Sequence, residues 1–450
     1  MFADLTEFHD WFLERRRAHE YQVTPRPLDQ LDGWSADGET GDITHRSGKF
    51  FAVRGIHVET NRRAIGSWSQ PIILQPEIGL LGIMVTVVDG EVHCLMQAKM
   101  EPGNINLLQL SPTVQATRSN YTQVHGGSRV PYLDYFMRPR ADRTVFDALQ
   151  SEQGSWFLAK RNRNVIVQIE SPITPGEEFC WLSLPQIADL LAEPNLVNMD
   201  ARTVLSGMPF IGVATRNGRD GARGSRYSDE EVLSWFTEVK TNAHLDRRLL
   251  PLAQIPGWQL RDGIINRPDG KHFTVLGVHV RASSREVAEW SQPMIKPVNR
   301  GIIAFLGRFI DGVFHVLVCA RTEAGTSDLV EMAPTVSCIP DSFHDEPPER
   351  RPRYLDLVQS AAPDRILVDA VHSEEGGRFY HAENRYLVID VGEEFDLDAP
   401  PDYCWTTPEQ LTGFVRYGNH VNVAARCLLS CMVGERGAFQ SRDVVADPVL

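Results

Sequence analysis

Near the start of the chain, apolar residues recur at spacings of three and four: Leu5, Phe8, Trp11 and Phe12, with Arg15 extending the face. That period predicts an amphipathic helix over residues 4–20, which Asp4 or Thr6 can cap. The signature returns at Ser228-Asp229-Glu230-Glu231, a capping box, followed by Val232, Leu233, Trp235 and Phe236. Between these points the apolar runs predict strands at 50–58, 78–88 and 91–99, with Asp89-Gly90 as the hairpin turn joining the last two. Residues 301–310 and 313–321 repeat that hairpin around Asp311-Gly312. Extended segments are expected at 107–117 and 329–338, and a further strand at 164–170. Helices are expected at 141–152, 185–191 and 198–205.

The pattern repeats because the sequence does. Trp68-Ser69-Gln70-Pro71 recurs unchanged as Trp290-Ser291-Gln292-Pro293, an offset of 222 residues. Gly55, His57 and Val58 return as Gly277, His279 and Val280, and Pro112-Thr113-Val114 as Pro334-Thr335-Val336, at the same offset of 222. Trp34 and Trp258 are 224 apart, as are Asn198 and Asn422, so short insertions shift the register. The first shift falls in the polar piece 37–42, where extra residues in a turn cost little. The chain is one unit written twice. Hairpins with helices around them make each unit an α+β design. The expected division is a first repeat over 1–216, a linker over 217–227 and a second repeat over 228–450.

Composition narrows the function. The 450 residues carry 45 Lys and Arg against 59 Asp and Glu, a net charge of −14. A general nucleic-acid partner, which needs a basic face, is disfavoured. A small anionic ligand held by a few local cations is not. No apolar run has the length of a membrane span, and the acidic start lacks a signal pattern, so a cytoplasmic protein is expected. The seven cysteines have no framework spacing. Cys427 and Cys431 read as buried thiols on one helix face rather than metal ligands. Cys180 and Cys404, matched between copies, read as core. His57 and His279 read as satisfied strand histidines. The glycines of the linker do not form a dinucleotide fingerprint.

Generic catalytic motifs are absent, so the comparison of copy with copy carries the chemistry. Lys99 faces Arg321, Asn104 faces Thr326, Gln115 faces Ser337 and Tyr121 faces Phe343. The first copy keeps amide, ammonium and phenol groups suited to a polyhydroxylated, phosphorylated ligand.

Trp-Ser-Gln-Pro, Gln97-Ala98-Lys99-Met100-Glu101-Pro102-Gly103-Asn104 and the stretch from Leu110-Ser111-Pro112-Thr113-Val114-Gln115 to Tyr121 resemble the NDP-hexose 2,3-dehydratases over nearly the whole chain. The resemblance implies a Nudix-like fold in tandem, a homodimer, and two nucleotide-sugar pockets per subunit, one catalytic and one a relic. The Nudix acidic box is missing, which argues against pyrophosphate hydrolysis. The implied substrate is dTDP-4-keto-6-deoxyglucose, and the implied elimination of water needs no redox cofactor and no metal. It needs a base, an acid and a group to stabilise an oxyanion. Lys99 and Tyr121 are the candidates, with Glu101 and His125 as alternatives. Trp68, Thr113, Val114 and Gln115, with Ser151, Glu152, Gln153 and Gly154, are the expected substrate contacts. Gly154 could equally be a helix C-cap. The second pocket would hold Trp290, Arg321, Thr335, Val336, Ser337, Ser373, Glu374, Glu375 and Gly376. The working pocket is expected in the first copy. A non-catalytic nucleotide-sugar binder is the alternative.

Overall fold

A computed structural model describes residues 1–117, 129–208, 224–285 and 287–432. The amphipathic helix forms as Leu5–Ala18, capped by Asp4, and its counterpart as Asp229–Thr241, closed by the Ser228/Glu231 capping box. Phe8, Phe12, Val232 and Phe236 point into the core. The expected linker lies outside the described residues as far as residue 223.

Each half builds the same seven-stranded sheet. In the first half Gly79–Val88 and Glu91–Met100 form the hairpin, with Asp89 and Gly90 both at positive φ in its turn. Arg161–Gln168 lies parallel to Gly79–Val88, while Thr144–Ser151 and Phe179–Ser183 close the two edges. Gly301–Ile310, Val313–Arg321, Glu383–Asp390, Ile366–Ser373 and Tyr403–Thr406 repeat this order. The fold thus has the α+β class and the duplication that the pattern predicts.

One element differs from expectation. Residues 141–152 do not form a helix: after a short turn, Thr144–Ser151 is an edge strand. Phe146, Ala148 and Gln150 face inward while Asp147 and Leu149 face solvent, a period of two. Pairing with Arg161–Gln168 overrides the helix preference of Ala-Leu-Gln. Ser151-Glu152-Gln153-Gly154 therefore leaves a strand, and Gly154 caps no helix.

The halves are interleaved by two smaller sheets. Leu245–Leu250 of the second half pairs with Ala52–Thr60 of the first, and Tyr21–Arg26 of the first pairs with Phe273–Ala282 of the second. Each small sheet borrows an edge strand from the other half. Between the large sheets, Met199–Leu205 packs against Val423–Cys431, and Arg426 Nε donates to Thr203 Oγ1 at 2.8 Å. Arg202 and Arg426, both 0% exposed, cross this junction in opposite directions. Arg202 donates to the Ser373 carbonyl and Arg426 to the Ser151 carbonyl, so each guanidinium ties its own helix to the partner half. Cys427 and Cys431 are buried on the same helix, and burial pushes their thiols up to about 12 and about 11. Among the described residues, no helix is long and apolar enough to cross a membrane.

Candidate functional site

The repeated four-residue word owes its conservation between halves to its neighbours. Ser67–Leu74 pairs with Ala52–Thr60 so that Pro71 stands opposite Gly55 and Ser69 opposite His57. Proline has no N–H to offer the ladder, and glycine leaves room for the borrowed strand: a Cβ at Gly55 would fall 2.9 Å from the Leu250 carbonyl oxygen. His57 Nδ1 bonds Ser69 Oγ at 2.9 Å, as His279 Nδ1 bonds Ser291 Oγ at 3.1 Å. Trp68 Nε1 donates to Gln70 Oε1 at 2.8 Å, and Gln70 Nε2 donates to the Ser155 carbonyl at 2.7 Å. The second half repeats this as Trp290 to Gln292 at 3.0 Å and Gln292 to the Gly377 carbonyl at 2.6 Å. The halves also meet here. Trp34 Nε1 donates to the Ser291 carbonyl at 2.7 Å, and Trp258 Nε1 to the Ser69 carbonyl at 2.9 Å.

This crossing rearranges the two expected residue sets. A cavity of about 250 Å³ is lined by Trp68, Gln70 and Gln153 of the first half together with Arg321, Ser337 and Asn422 of the second. Trp68 therefore faces Arg321, not Lys99. Gln153 Nε2 donates to Glu374 Oε2 at 2.7 Å, again across the halves. In the other direction, Gly376 of the second half meets Glu101 and Asn104 of the first. Gly103 N–H donates to the Gly376 carbonyl at 2.7 Å, and Gly325 N–H to the Gly154 carbonyl at 2.6 Å. A Cβ at Gly103 would fall 1.8 Å from the Phe379 carbonyl oxygen, so only glycine fits that joint. Gln153 thus belongs with Arg321, and Glu375 and Gly376 with Lys99, whereas Glu374 lines the Arg321 cavity and Glu152 acts on Lys160 of the Lys99 cluster.

Thr113 and Val114 lie in the core rather than at a ligand. Thr113 is 1% exposed; its hydroxyl donates to the Leu95 carbonyl and accepts from Met84 N–H at 2.9 Å. Thr335 does the same with Leu317 and Leu306, and Val114 and Val336 are buried beside them. These residues brace the point where two strands part. Tyr121 and His125 lie outside the described residues.

Around Lys99 the structure gathers a charged cluster. Lys99 Nζ donates to the Gln115 carbonyl at 2.9 Å. Three side-chain amides donate to the buried Glu101: Gln115 at 2.6 Å, Asn198 at 3.3 Å and Asn104 at 3.4 Å. Four further residues complete it: Lys160, Asp200 and Arg378, which sequence reasoning missed, and Glu375, which it expected in the second pocket. Burial raises the Asp200 carboxyl well above its usual range, reinforced by the charges of Glu101, Glu152 and Glu375 and opposed by Lys99. Burial, then Glu101, pushes Glu375 up to about 8 against the pull of Arg378. Burial lowers Lys160, while Glu152 and Glu77 hold its proton. Arg378 stacks over Phe51 at 4.2 Å and donates to the Gly377 carbonyl at 2.8 Å.

Every one of these four has an unlike counterpart in the Arg321 cavity. Lys160 corresponds to Ala382, Asp200 to Ala424, Glu375 to Gln153 and Arg378 to Trp156, and all four counterparts line that cavity. The difference was present in the aligned copies. It is invisible until the fold shows that Glu375 and Arg378 of the second copy stand beside Lys99 of the first. The Arg321 cavity keeps a different character: Arg63 lies 4.8 Å over Trp68, and burial with the nearby Arg321 lowers its guanidinium to about 10. Arg321 Nε donates to Glu323 Oε1 at 3.1 Å.

A family model described as NDP-hexose 2,3-dehydratase matches the chain twice, over residues 5–208 and 229–432. The chain is 51% identical over 433 residues to a dTDP-4-dehydro-6-deoxy-alpha-D-glucopyranose 2,3-dehydratase of Streptomyces violaceoruber, covering 96% of this chain and 97% of that protein. It is 48% identical to a protein of the same description from Amycolatopsis orientalis, covering 94% of this chain and 88% of that one. A third relative so described, from Saccharopolyspora spinosa, is 45% identical over 95% of this chain and 91% of its own length.

Proposed function

The chain belongs to the NDP-hexose 2,3-dehydratase family, and on that premise we propose that it eliminates water across C2–C3 of dTDP-4-keto-6-deoxy-D-glucose, using the Lys99 cluster. The observation that carries this choice of site is the fourfold difference between the clusters: Lys160, Asp200, Glu375 and Arg378 against Ala382, Ala424, Gln153 and Trp156. Elimination needs groups that give and take protons, and at these four positions the Lys99 cluster carries ionisable side chains where the Arg321 cavity carries none.

The 4-keto group acidifies the C3 hydrogen. A base removes that proton, and negative charge develops on the C4 oxygen. Lys99 and Arg378 bring cations to the cluster that can face this oxyanion. The C2 hydroxyl takes a proton and departs as water. The remaining 2,3-enol accepts a proton at C2 and becomes the 3,4-diketo-2,6-dideoxy sugar. The sequence is redox-neutral: one water leaves and no electrons are exchanged. We place the enzyme in the cytoplasm as a homodimer, on the family resemblance and its sugar-nucleotide chemistry; sedimentation velocity tests the dimer.

The reaction is tested with the keto-sugar in heavy water, trapping the diketone with o-phenylenediamine. A quinoxaline adduct is expected; its absence, together with no deuterium at C3, overturns the reading. Lys99→Ala should lower kcat about 100-fold or more, while Arg321→Ala leaves it within about threefold. The reverse order would place the chemistry in the Arg321 cavity.

A further inference from the structure

We propose that Gln75 is a positioning residue for the elimination: it clamps the guanidinium of Arg378, which comes from the other half, so that the Nη2 edge donates to the sugar's C4 oxygen as negative charge gathers there. This rests on the reading of the Lys99 cluster as the working site. Gln75 is 4% exposed, and its amide is engaged at both ends. Its Oε1 accepts from Arg378 Nε at 3.2 Å, and its Nε2 donates to Glu77 Oε1 at 3.0 Å. The Glu77 carbonyl in turn accepts from Lys160 Nζ. One tripeptide, Gln75-Pro76-Glu77, therefore seats two cations of the cluster, one from each half.

The duplication singles out this arrangement. Gln75 corresponds to Pro297 and Glu77 to Asn299, and both counterparts line the Arg321 cavity. Proline has no side-chain acceptor to offer. The cations are absent there as well: Trp156 and Ala382 stand where Arg378 and Lys160 do. The aromatic floor is common to both sites, with Arg378 over Phe51 at 4.2 Å and the Trp156 ring meeting Phe273 edge-on at 6.5 Å. Clamp and cations are present together at one site and absent together at the other. Both halves build the same fold, so the fold does not depend on the clamp.

One edge of the guanidinium is left for a ligand. Nε is taken by Gln75, and Nη1 by the Gly377 carbonyl at 2.8 Å, which Gln292 Nε2 also holds at 2.6 Å. Nη2 meets no acceptor among the described residues. A planar fork held at two of its three nitrogens has the direction of the third fixed. The charge around it decides what it meets. Glu375, Glu77 and Glu101 all act on this guanidinium. Carboxyls so close together oppose a diphosphate, which arrives with its charge, more than a ketone, which acquires charge only in the transition state. The contact with the C4 oxygen is therefore strongest as the enolate forms, and it bears on kcat rather than on binding.

Wild-type turnover to the trapped diketone must be seen first, which separates failure of this inference from failure of the dehydratase reading. Gln75→Met keeps the bulk of the side chain and removes both of its polar ends. It is expected to lower kcat about 30-fold with KM within about threefold, and to slow deuterium exchange at C3 of the keto-sugar in parallel. Arg378→Ala is expected to lose about 100-fold or more and to regain part of it with added guanidinium. Because Gln75 acts through Arg378, Gln75→Met should cost no more than about twofold further in the Arg378→Ala background, a coupling that loss of packing does not produce. A kcat for Gln75→Met within about threefold of wild type overturns the proposal, as do additive losses in the double variant. So does a rise in KM and in the calorimetric Kd for dTDP with kcat unchanged, which would put Arg378 on the diphosphate. Urea unfolding and dTDP binding that match wild type show that each variant is folded; if Gln75→Met fails this control, Gln75→Asn, one methylene short of Arg378, takes its place with the same expected losses.

Discussion

At the scale of single residues, burial sets what the carboxyls can do. Glu375 is raised by burial and by Glu101 and Glu152, and lowered by Arg378 and the Gly377 N–H. If it must be protonated for turnover, kcat/KM stays level at neutral pH and falls tenfold per pH unit above about 8. A pH–rate profile checks this, and Glu375→Gln should remove that limb along with most of the rate. Glu331 shows the same physics away from the chemistry. It is 3% exposed, and burial pushes it up to about 7 from its ordinary 4.5. The folded chain therefore holds a proton that the unfolded chain has lost, and stability falls as pH rises from about 4.5 to about 7. The first half carries Gln109 at the matching place, where its amide bonds Ser373 Oγ at 2.9 Å. Glu331→Gln should therefore stabilise the protein at pH 8 by on the order of 1–3 kcal/mol and have little effect at pH 4.5, measured by urea unfolding at both.

At the scale of elements, the loops that follow strands hold the two halves in register. Thr144–Ser151 and Ile366–Ser373 each end in Ser-Glu, and each delivers its next residues to the other half. Gly103 and Gly325 allow the backbones to touch there: a Cβ at either would fall 1.8 Å or 1.6 Å from a carbonyl oxygen. Backbone, unlike a flexible side chain, cannot step aside. Gly103→Ala should cost about 3 kcal/mol of stability and also lower kcat, because the same joint brings Glu375 beside Glu101. Gly325→Ala should cost a similar stability with a smaller loss of turnover. Urea midpoints with steady-state rates on both variants distinguish the two effects.

At the scale of the molecule, the duplication is not a pair of beads. Each small sheet needs an edge strand from the other half, and the two buried arginines need partner carbonyls across the junction. An isolated half would expose an unpaired strand edge and bury a guanidinium without its acceptor. Segments 1–216 and 228–450, expressed separately, should each be insoluble or unfolded by circular dichroism. Co-expressed, they should co-purify and recover turnover. A folded, monomeric segment 1–216 would show the exchanged strands to be dispensable.

The sequence by itself determined the duplication, the hairpins at Asp89-Gly90 and Asp311-Gly312, the capped helices and the family, because each is written in local spacing or in direct identity of residues. It determined that Lys99 and Gln115 differ from Arg321 and Ser337, since aligned copies show substitutions directly. The strand at Thr144–Ser151 was harder: Ala148, Leu149 and Gln150 favour helix, whereas the second copy spells the same element with Ile366, Val368 and Val371. Sheet pairing, a contact made at a distance, decided it. Tertiary structure alone decided which copy lends what to which site. Trp68 passes to Arg321, while Glu375 and Arg378 pass to Lys99, because the edge strands and the Ser-Glu-x-Gly loops cross between halves. Two identical words carry no label saying whether they serve their own half or the other; only the long-range pairing of strands supplies it.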